Sequence, residues 1–172
     1  MLRSTVLWPV LASAGLWLGW SVLVGALANQ LPLRWLLTPG TALPAAAVRA
    51  ALQRYERGWH LRAWKGWIPD AGAALPGGIA KASLARRDGQ ALQRLIAETR
   101  RAELVHWALW PAWGITALWL PPLGVLLNLL FASLFNLPCL LLQRYNRLRL
   151  QLLLQRFDQG PSTAASRLKA QA

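Results

Sequence analysis

Two stretches of the chain carry no Asp, Glu, Lys or Arg: Ser4–Leu33 and Leu104–Gln143. A helix crossing the hydrocarbon core of a bilayer needs about 20 apolar residues, so the first stretch holds one pass and the second is long enough for two. Pro121-Pro122 divides the second, because proline inside a helix removes a backbone donor and clashes with the preceding turn. The expected fold is therefore an all-α integral membrane protein in a single domain over 1–172. It comprises an N-terminal transmembrane helix (4–33), a basic amphipathic cytoplasmic loop (34–103), a transmembrane hairpin with limbs at 104–120 and 122–143, and a basic cytoplasmic tail (144–172). The first limb is short and contains Pro111 and Gly114, so a re-entrant or tilted hairpin stays open beside a full crossing.

The charge supports this placement. Nineteen Lys+Arg against six Asp+Glu give a net charge of +13, yet 55% of the residues are hydrophobic and the mean hydropathy is +0.31. A soluble nucleic-acid binder would not segregate so much apolar sequence, and a disordered chain would not carry so much Leu and Trp. Of the 19 basic residues, 12 lie from Arg34 to Glu103 and 6 from Arg144 to Ala172. A hairpin returns the chain to one side, so both regions share a compartment, and the positive-inside rule makes it the cytoplasm. The cell membrane with several passes is the expected location. A competing reading treats the first segment as a secretory signal, with Ala26-Leu27-Ala28 as the cleavage site, which would put the loop outside. Many of the 11 Trp fall near segment boundaries, where the indole favours the interface. The single Cys139 excludes an intramolecular disulfide and a Cys-based zinc site; within an apolar helix its thiol reads as packing.

Inside the loop, Val48, Leu52, Tyr55 and Trp59 recur at helical spacing while Arg49, Arg54 and Arg57 face elsewhere. Pro44 sets the start of this helix and Gly58 its stop. Trp59, Trp64 and Trp67 then alternate with Arg62 and Lys65, and Asp70–Gly78 is a turn-rich connector. Seventy such residues are too few for a free-standing core, so the loop is expected on the membrane surface with basic sides toward anionic headgroups. A nucleic-acid stacking platform would use the same residue types, but membrane flanks already account for them.

A long helix opens at Asp88. Turning about 100° per residue from Leu92 puts Ile96, Thr99, Glu103, His106 and Trp110 on one stripe. Glu103 and His106 thus sit one turn apart where the helix enters the membrane, and an ionisable residue there is a functional candidate that needs a partner. On the last segment Asn136, Cys139, Gln143 and Arg147 form a polar stripe. Antiparallel limbs would bring Glu103 and His106 level with Gln143, Arg144, Asn146 and Arg147. Histidine is suited to taking a proton near neutral pH, and arginines to holding phosphates or a developing oxyanion. Two plainer readings stand beside this. A Glu103–Arg147 or Glu103–Arg144 pair could simply fix the hairpin, and a lone Glu-x-x-His is half of a di-iron helix motif. With His60 the only other imidazole, the ligand count is too short for a metal, and none is expected.

The segments RAWKGWIPDAG, ETRRAELVHW and NLPCLLLQRYNRLRL, in this order, resemble the glycosyl-4,4'-diaponeurosporenoate acyltransferase family, which performs the terminal acylation of staphyloxanthin-type carotenoid synthesis. The E-x-x-R-A-E-L-x-H-W and Q-R-Y-N-R patterns carry most of it. The match falls on Arg62, Trp64, Lys65, Glu98, Arg101, Glu103, His106 and Trp107, and on Gln143 to Arg147 with Arg149. The resemblance implies transfer of a fatty acyl group from an acyl thioester of the acyl-CoA type to a sugar hydroxyl of a carotenoid glycoside or similar glycolipid. It implies no cofactor beyond that co-substrate, and membrane lipid, pathway enzymes and no nucleic acid as partners. The convergence of the two polar stripes, taken with this chemistry, makes His106 and Glu103 the expected catalytic residues. Gln143 and Asn146 donate to the thioester carbonyl, Arg101, Arg144 and Arg147 gather phosphates, and Trp64 and Lys65 flank the substrate entrance. The alternative is a non-catalytic membrane scaffold of a lipid or terpenoid pathway.

The topology is open to direct measurement. In a Cys139→Ser background, single cysteines at Ala73 and Ala170 should both resist a membrane-impermeant maleimide in intact cells and react after permeabilisation. Labelling of Ala73→Cys from outside would reverse the loop's assignment.

Overall fold

In the computed structural model the described residues are 2–37, 43–67 and 89–159, with side chains from Leu7 onward. Among them there are helices and turns but no strands. The expected turn at Pro39-Gly40, the Asp70–Gly78 connector, Asp88 as helix opener and the end of the tail lie outside the described residues. The helices are α1 (Leu2–Asn29), α2 (Leu33–Leu36), α3 (Ala45–Gly58), α4 (Leu61–Trp64), α5 (Gly89–Leu109) and α6 (Pro122–Asp158). Lys65–Trp67 and Trp110–Leu118 are 3-10 helices. Two compact units divide the chain, Met1–Pro32 with Arg101–Leu141 and Leu33–Arg100 with Leu142–Ala172, so α5 and α6 each contribute to both.

Two helices are long and apolar enough to cross a membrane, Leu7–Asn29 and Pro122–Asp158. The first matches the expected segment. The second begins where the proline pair ends, with Pro122 at the first helical position, where a missing N–H costs nothing. It does not stop at 143. Its 37 residues make a rod about 55 Å long, well beyond a hydrocarbon core of about 30 Å. Much of what reads as a tail is thus helical as far as Asp158. The limb expected at 104–120 also differs, because α5 ends at Leu109 and a 3-10 helix takes over. Pro111, at the start of that helix, cannot donate to an α-helical ladder, and nine residues at about 2.0 Å each span only about 18 Å.

The first unit is joined by tryptophan N–H groups. Trp17 Nε1 donates to Asn128 Oδ1 at 2.9 Å and Trp20 Nε1 to the Ala108 carbonyl at 3.0 Å. Trp110 Nε1 reaches Ser133 Oγ at 3.2 Å, and Trp119 Nε1 reaches Ser13 Oγ at 3.1 Å. These four indoles link helices instead of only marking an interface, as their positions near segment boundaries had suggested. Outside them α1 exposes Leu11, Leu18 and Val22, and α6 exposes Leu127, Leu130 and Leu134. Helices wrapped in aliphatic side chains and tied inwardly by hydrogen bonds follow the logic of packing in lipid, where apolar contact alone gives little net attraction between helices.

The second unit has a small core of its own. Val48, Leu61 and Ala97 are fully buried, with Leu36, Leu92, Leu142 and Tyr145 nearly so. The amphipathic helix expected from Ala45 to Gly58 is α3, with Pro44 preceding it and Val48 on its buried side. The loop is therefore more than a surface coat, since the extension of α6 supplies a wall for it to pack on. Between α3 and α4 the chain turns at His60, whose left-handed φ of 46° is unusual for a non-glycine residue and makes the link short.

Two consecutive arginines finish two helix ends. Arg101 Nη2 donates to the Leu31 carbonyl just past α1 at 3.2 Å, and Arg100 Nη1 to the Leu36 carbonyl at the end of α2 at 2.7 Å. A cation at a helix C-terminus satisfies an orphan carbonyl and complements the dipole. Arg101→Ala should lower stability by about 1.5–3 kcal/mol, as expected for a hydrogen bond to a charged group. A melt of the detergent-solubilised protein checks this, and an unchanged midpoint would mean that the bond contributes nothing.

Candidate functional site

His106 sits in the last turn of α5, half-buried, three residues before Leu109 closes the helix. Its Nδ1 lies 3.0 Å from Asn136 Oδ1, a side chain of α6 that is almost fully buried. Asn136 Nδ2 donates to the Ala132 carbonyl one turn back, at 2.9 Å. This second bond fixes the first. A carbonyl oxygen can only accept, so the amide nitrogen faces Ala132 and the amide oxygen faces the imidazole. The oxygen can also only accept, so the proton of the neutral ring resides on Nδ1. Nε2 then carries the lone pair. A histidine held in one tautomer by a partner on a different helix is the arrangement a general base requires.

Glu103 precedes His106 by three residues on the same helix and is half-buried. The partner that the structure supplies to the ring is Asn136, which belongs to the polar stripe read from the sequence but was not matched there to His106. The signal was its helical spacing with Gln143; the long-range pairing itself is invisible in a pattern along one helix. Arg101 is engaged with the Leu31 carbonyl. Gln143, Arg144, Asn146 and Arg147 all lie on the continuation of α6 in the second unit, while Glu103 and His106 belong to the first.

In the second unit the polar residues gather around Tyr145. The ring is nearly inaccessible, and its hydroxyl donates to Glu56 Oε1 at 2.8 Å. Arg62 Nε donates to the same oxygen at 3.0 Å. Lys65 Nζ lies 5.5 Å from the centre of the Tyr145 ring and the Arg149 guanidinium 5.8 Å from it, both within cation–π range. Tyr55 packs its ring against Tyr145 at a tilt. The hydrogen bond from Tyr145 is the largest influence on the Glu56 carboxyl; burial opposes it, and the charge and hydrogen bond of Arg62 with the charge of Lys65 join it to hold the carboxyl below its ordinary range. Trp64, expected at the substrate entrance, donates its Nε1 to the Trp59 carbonyl at 2.8 Å and so closes the turn that places Lys65. Glu56 and Tyr145 were not proposed as site residues from the sequence. Tyr145 stood within the Q-R-Y-N-R pattern, flanked by basic residues, and that was the available signal.

No group of three or more His, Cys, Asp or Glu capable of holding a metal occurs among the described residues. The sequence profile of the family described as glycosyl-4,4'-diaponeurosporenoate acyltransferase matches residues 33–156. Proteins of that name from Staphylococcus aureus strains bovine RF122 / ET3-1 and USA300 are each 31% identical over 102 residues, which is 59% of this chain and 61% of theirs. The matched region thus spans about three-fifths of the length of those relatives. No solved structure matches.

The lowered Glu56 value carries a consequence for acid stability. A carboxyl whose folded pKa lies below the ordinary 4.5 contributes stability above that value and loses it as pH falls through the lowered one. Between about pH 5 and pH 3 the wild-type protein should therefore lose melting temperature more steeply than Glu56→Gln. Parallel melting curves at those pH values would remove Glu56 as the cause.

Proposed function

Because the chain belongs to the glycosyl-4,4'-diaponeurosporenoate acyltransferase family, we propose that it is a membrane O-acyltransferase that moves a fatty acyl group from an acyl-CoA-type thioester to a sugar hydroxyl of a carotenoid glycoside or similar glycolipid. The observation that carries the chemistry is the His106–Asn136 pair, which leaves Nε2 as a fixed proton acceptor. The two apolar helices support a location in the cell membrane, with a partial or full hairpin before α6 adding further passes.

In this mechanism the sugar O–H gives its proton to His106 Nε2 as the oxygen attacks the thioester carbonyl. The new C–O bond forms, the carbonyl oxygen becomes negative, and its collapse breaks the C–S bond. The proton then passes from the imidazolium to the departing thiolate, so one ester and one thiol leave and the histidine is regenerated. Asn136 keeps the ring from turning between the two transfers. Glu103, one turn back on α5, favours the imidazolium through its negative charge. The remaining assignments follow side-chain chemistry alone: Gln143, Arg144, Asn146 and Arg147, with Trp64 and Lys65, are polar and cationic groups of the second unit suited to the acyl donor, and Arg101 is a cation of the first. Metal chemistry has no part in this reading, which needs only an activated hydroxyl and a good leaving group.

His106→Ala should reduce turnover about 10²–10⁴-fold, the range for loss of a general base. Asn136→Leu should retain binding but lose rate, since the ring is freed to rotate and to change tautomer. The assay uses the purified chain in detergent with acyl-CoA and a carotenoid glycoside, followed by detection of the ester. Near-normal turnover by a well-folded His106→Ala protein would dismiss the base, and acyl transfer only after adding a partner protein would make the chain a scaffold.

A further inference from the structure

The Tyr145 cluster has more positive charge than it uses. Arg62, Lys65 and Arg149 gather around Tyr145, whose hydroxyl donates to Glu56, and the bonds from Tyr145 and Arg62 fall on a single oxygen of that carboxylate. Those bonds engage Arg62 and the phenol, while Lys65 and Arg149 are held by the ring and have no carboxylate contact among the described residues. Lys65 is half-buried. Burial first, then the Arg149 and Arg62 charges, push its ammonium below the usual lysine range. Like charges gathered in this way repel one another, and an anion among them offsets that repulsion. Arg149 is one turn from Tyr145 on α6, and Asn146 shares the Arg149 side of the helix by its i, i+3 spacing. Asn146 Nδ2 is buried with no hydrogen-bond partner among the described residues, an amide donor still lacking an acceptor.

The placement is also built. Trp64 closes the turn after α3 through the Trp59 carbonyl, which carries Arg62 and Lys65 to their positions. Tyr145, nearly inaccessible, anchors the cluster from α6 and fixes Glu56 so that the carboxylate positions Arg62 instead of neutralising all three cations. Guanidinium and ammonium groups in this density match the oxygens of a phosphate, which accepts several charge-assisted bonds at once.

We infer that Lys65, Arg62 and Arg149, gathered at the Tyr145 ring, form a binding site for a phosphate group, supplied by the nucleotide part of the acyl donor. The source rests on the acyltransferase reading; the site itself does not. The same phosphate chemistry is offered by an anionic lipid headgroup, and the experiment separates the two. Equilibrium dialysis of the full chain in neutral detergent would use radiolabelled coenzyme A, with pantetheine as the phosphate-free control. Lys65→Gln and Arg149→Gln should each weaken coenzyme A binding about tenfold or more. Neither should change pantetheine binding, and Lys65→Arg should restore the affinity. In acyl transfer Arg149→Gln should raise KM for acyl-CoA and leave the acyl-pantetheine reaction unchanged. If the variants keep coenzyme A but lose flotation with phosphatidylglycerol vesicles relative to phosphatidylcholine, the phosphate is a lipid's and the donor assignment falls. Wild-type affinity of both Gln variants for both probes overturns the site. Lys65-dependent coenzyme A binding by a wild-type chain that transfers no acyl group would overturn the catalytic reading and leave this one standing.

Discussion

A polar side chain on a helix whose outer face is mostly leucine finds its partners within its own unit, and the arrangement of the first unit follows from that constraint. The four indole N–H groups, Asn128, Asn136, Ser13 and Ser133 all lie on or beside helices that expose aliphatic residues outward. Leaving such groups unpaired costs more than the bond itself returns, so each is driven to a partner within the unit. The result is directional. Apolar contact alone tolerates rotation and sliding, whereas Trp17 on Asn128 and His106 on Asn136 specify which turn of α1 or α5 meets which turn of α6. The same force that registers the helices therefore also orients the histidine.

The second unit answers a different problem. Its helices are short, and its core of Val48, Leu61 and Leu92 is small, so the cluster at Tyr145 contributes both packing and orientation. A phenol suits this position because its ring is apolar enough to be buried while its hydroxyl still reaches Glu56. The ring face attracts cations that Glu56 alone could not hold. Through it, α3 and the residues of the following turn are joined to α6, across 89 residues of sequence in the case of Glu56 and Tyr145.

Much of the architecture was legible because it depends on local chemistry. Pro44 and Gly58 bracket α3, the proline pair ends one segment and starts the next, and charge-free runs announce the long apolar helices. The stripe through Glu103 and His106 was legible as periodicity. Three features were not. The continuation of α6 past Gln143 runs against the onset of charge, which marks where an apolar environment ends but not where a helix does. The switch to a 3-10 helix at Trp110 depends on how Pro111 and the surrounding side chains pack together. The partners of His106 and Tyr145 are set by tertiary register, and helical spacing along one element says nothing about which residue on another element arrives opposite.

The choice of Asn136 as the histidine's holder follows from the same constraint that shapes the unit. An aspartate there would be a stronger partner for an imidazolium, but it would place a charge on a side chain almost wholly removed from solvent. It would also lose the N–H that satisfies the Ala132 carbonyl and set an acceptor against an acceptor. Asparagine avoids both penalties with one group, donating along its own helix and accepting from the next. A neutral holder stabilises an imidazolium less than a carboxylate would, so what this amide supplies to His106 is orientation and not charge.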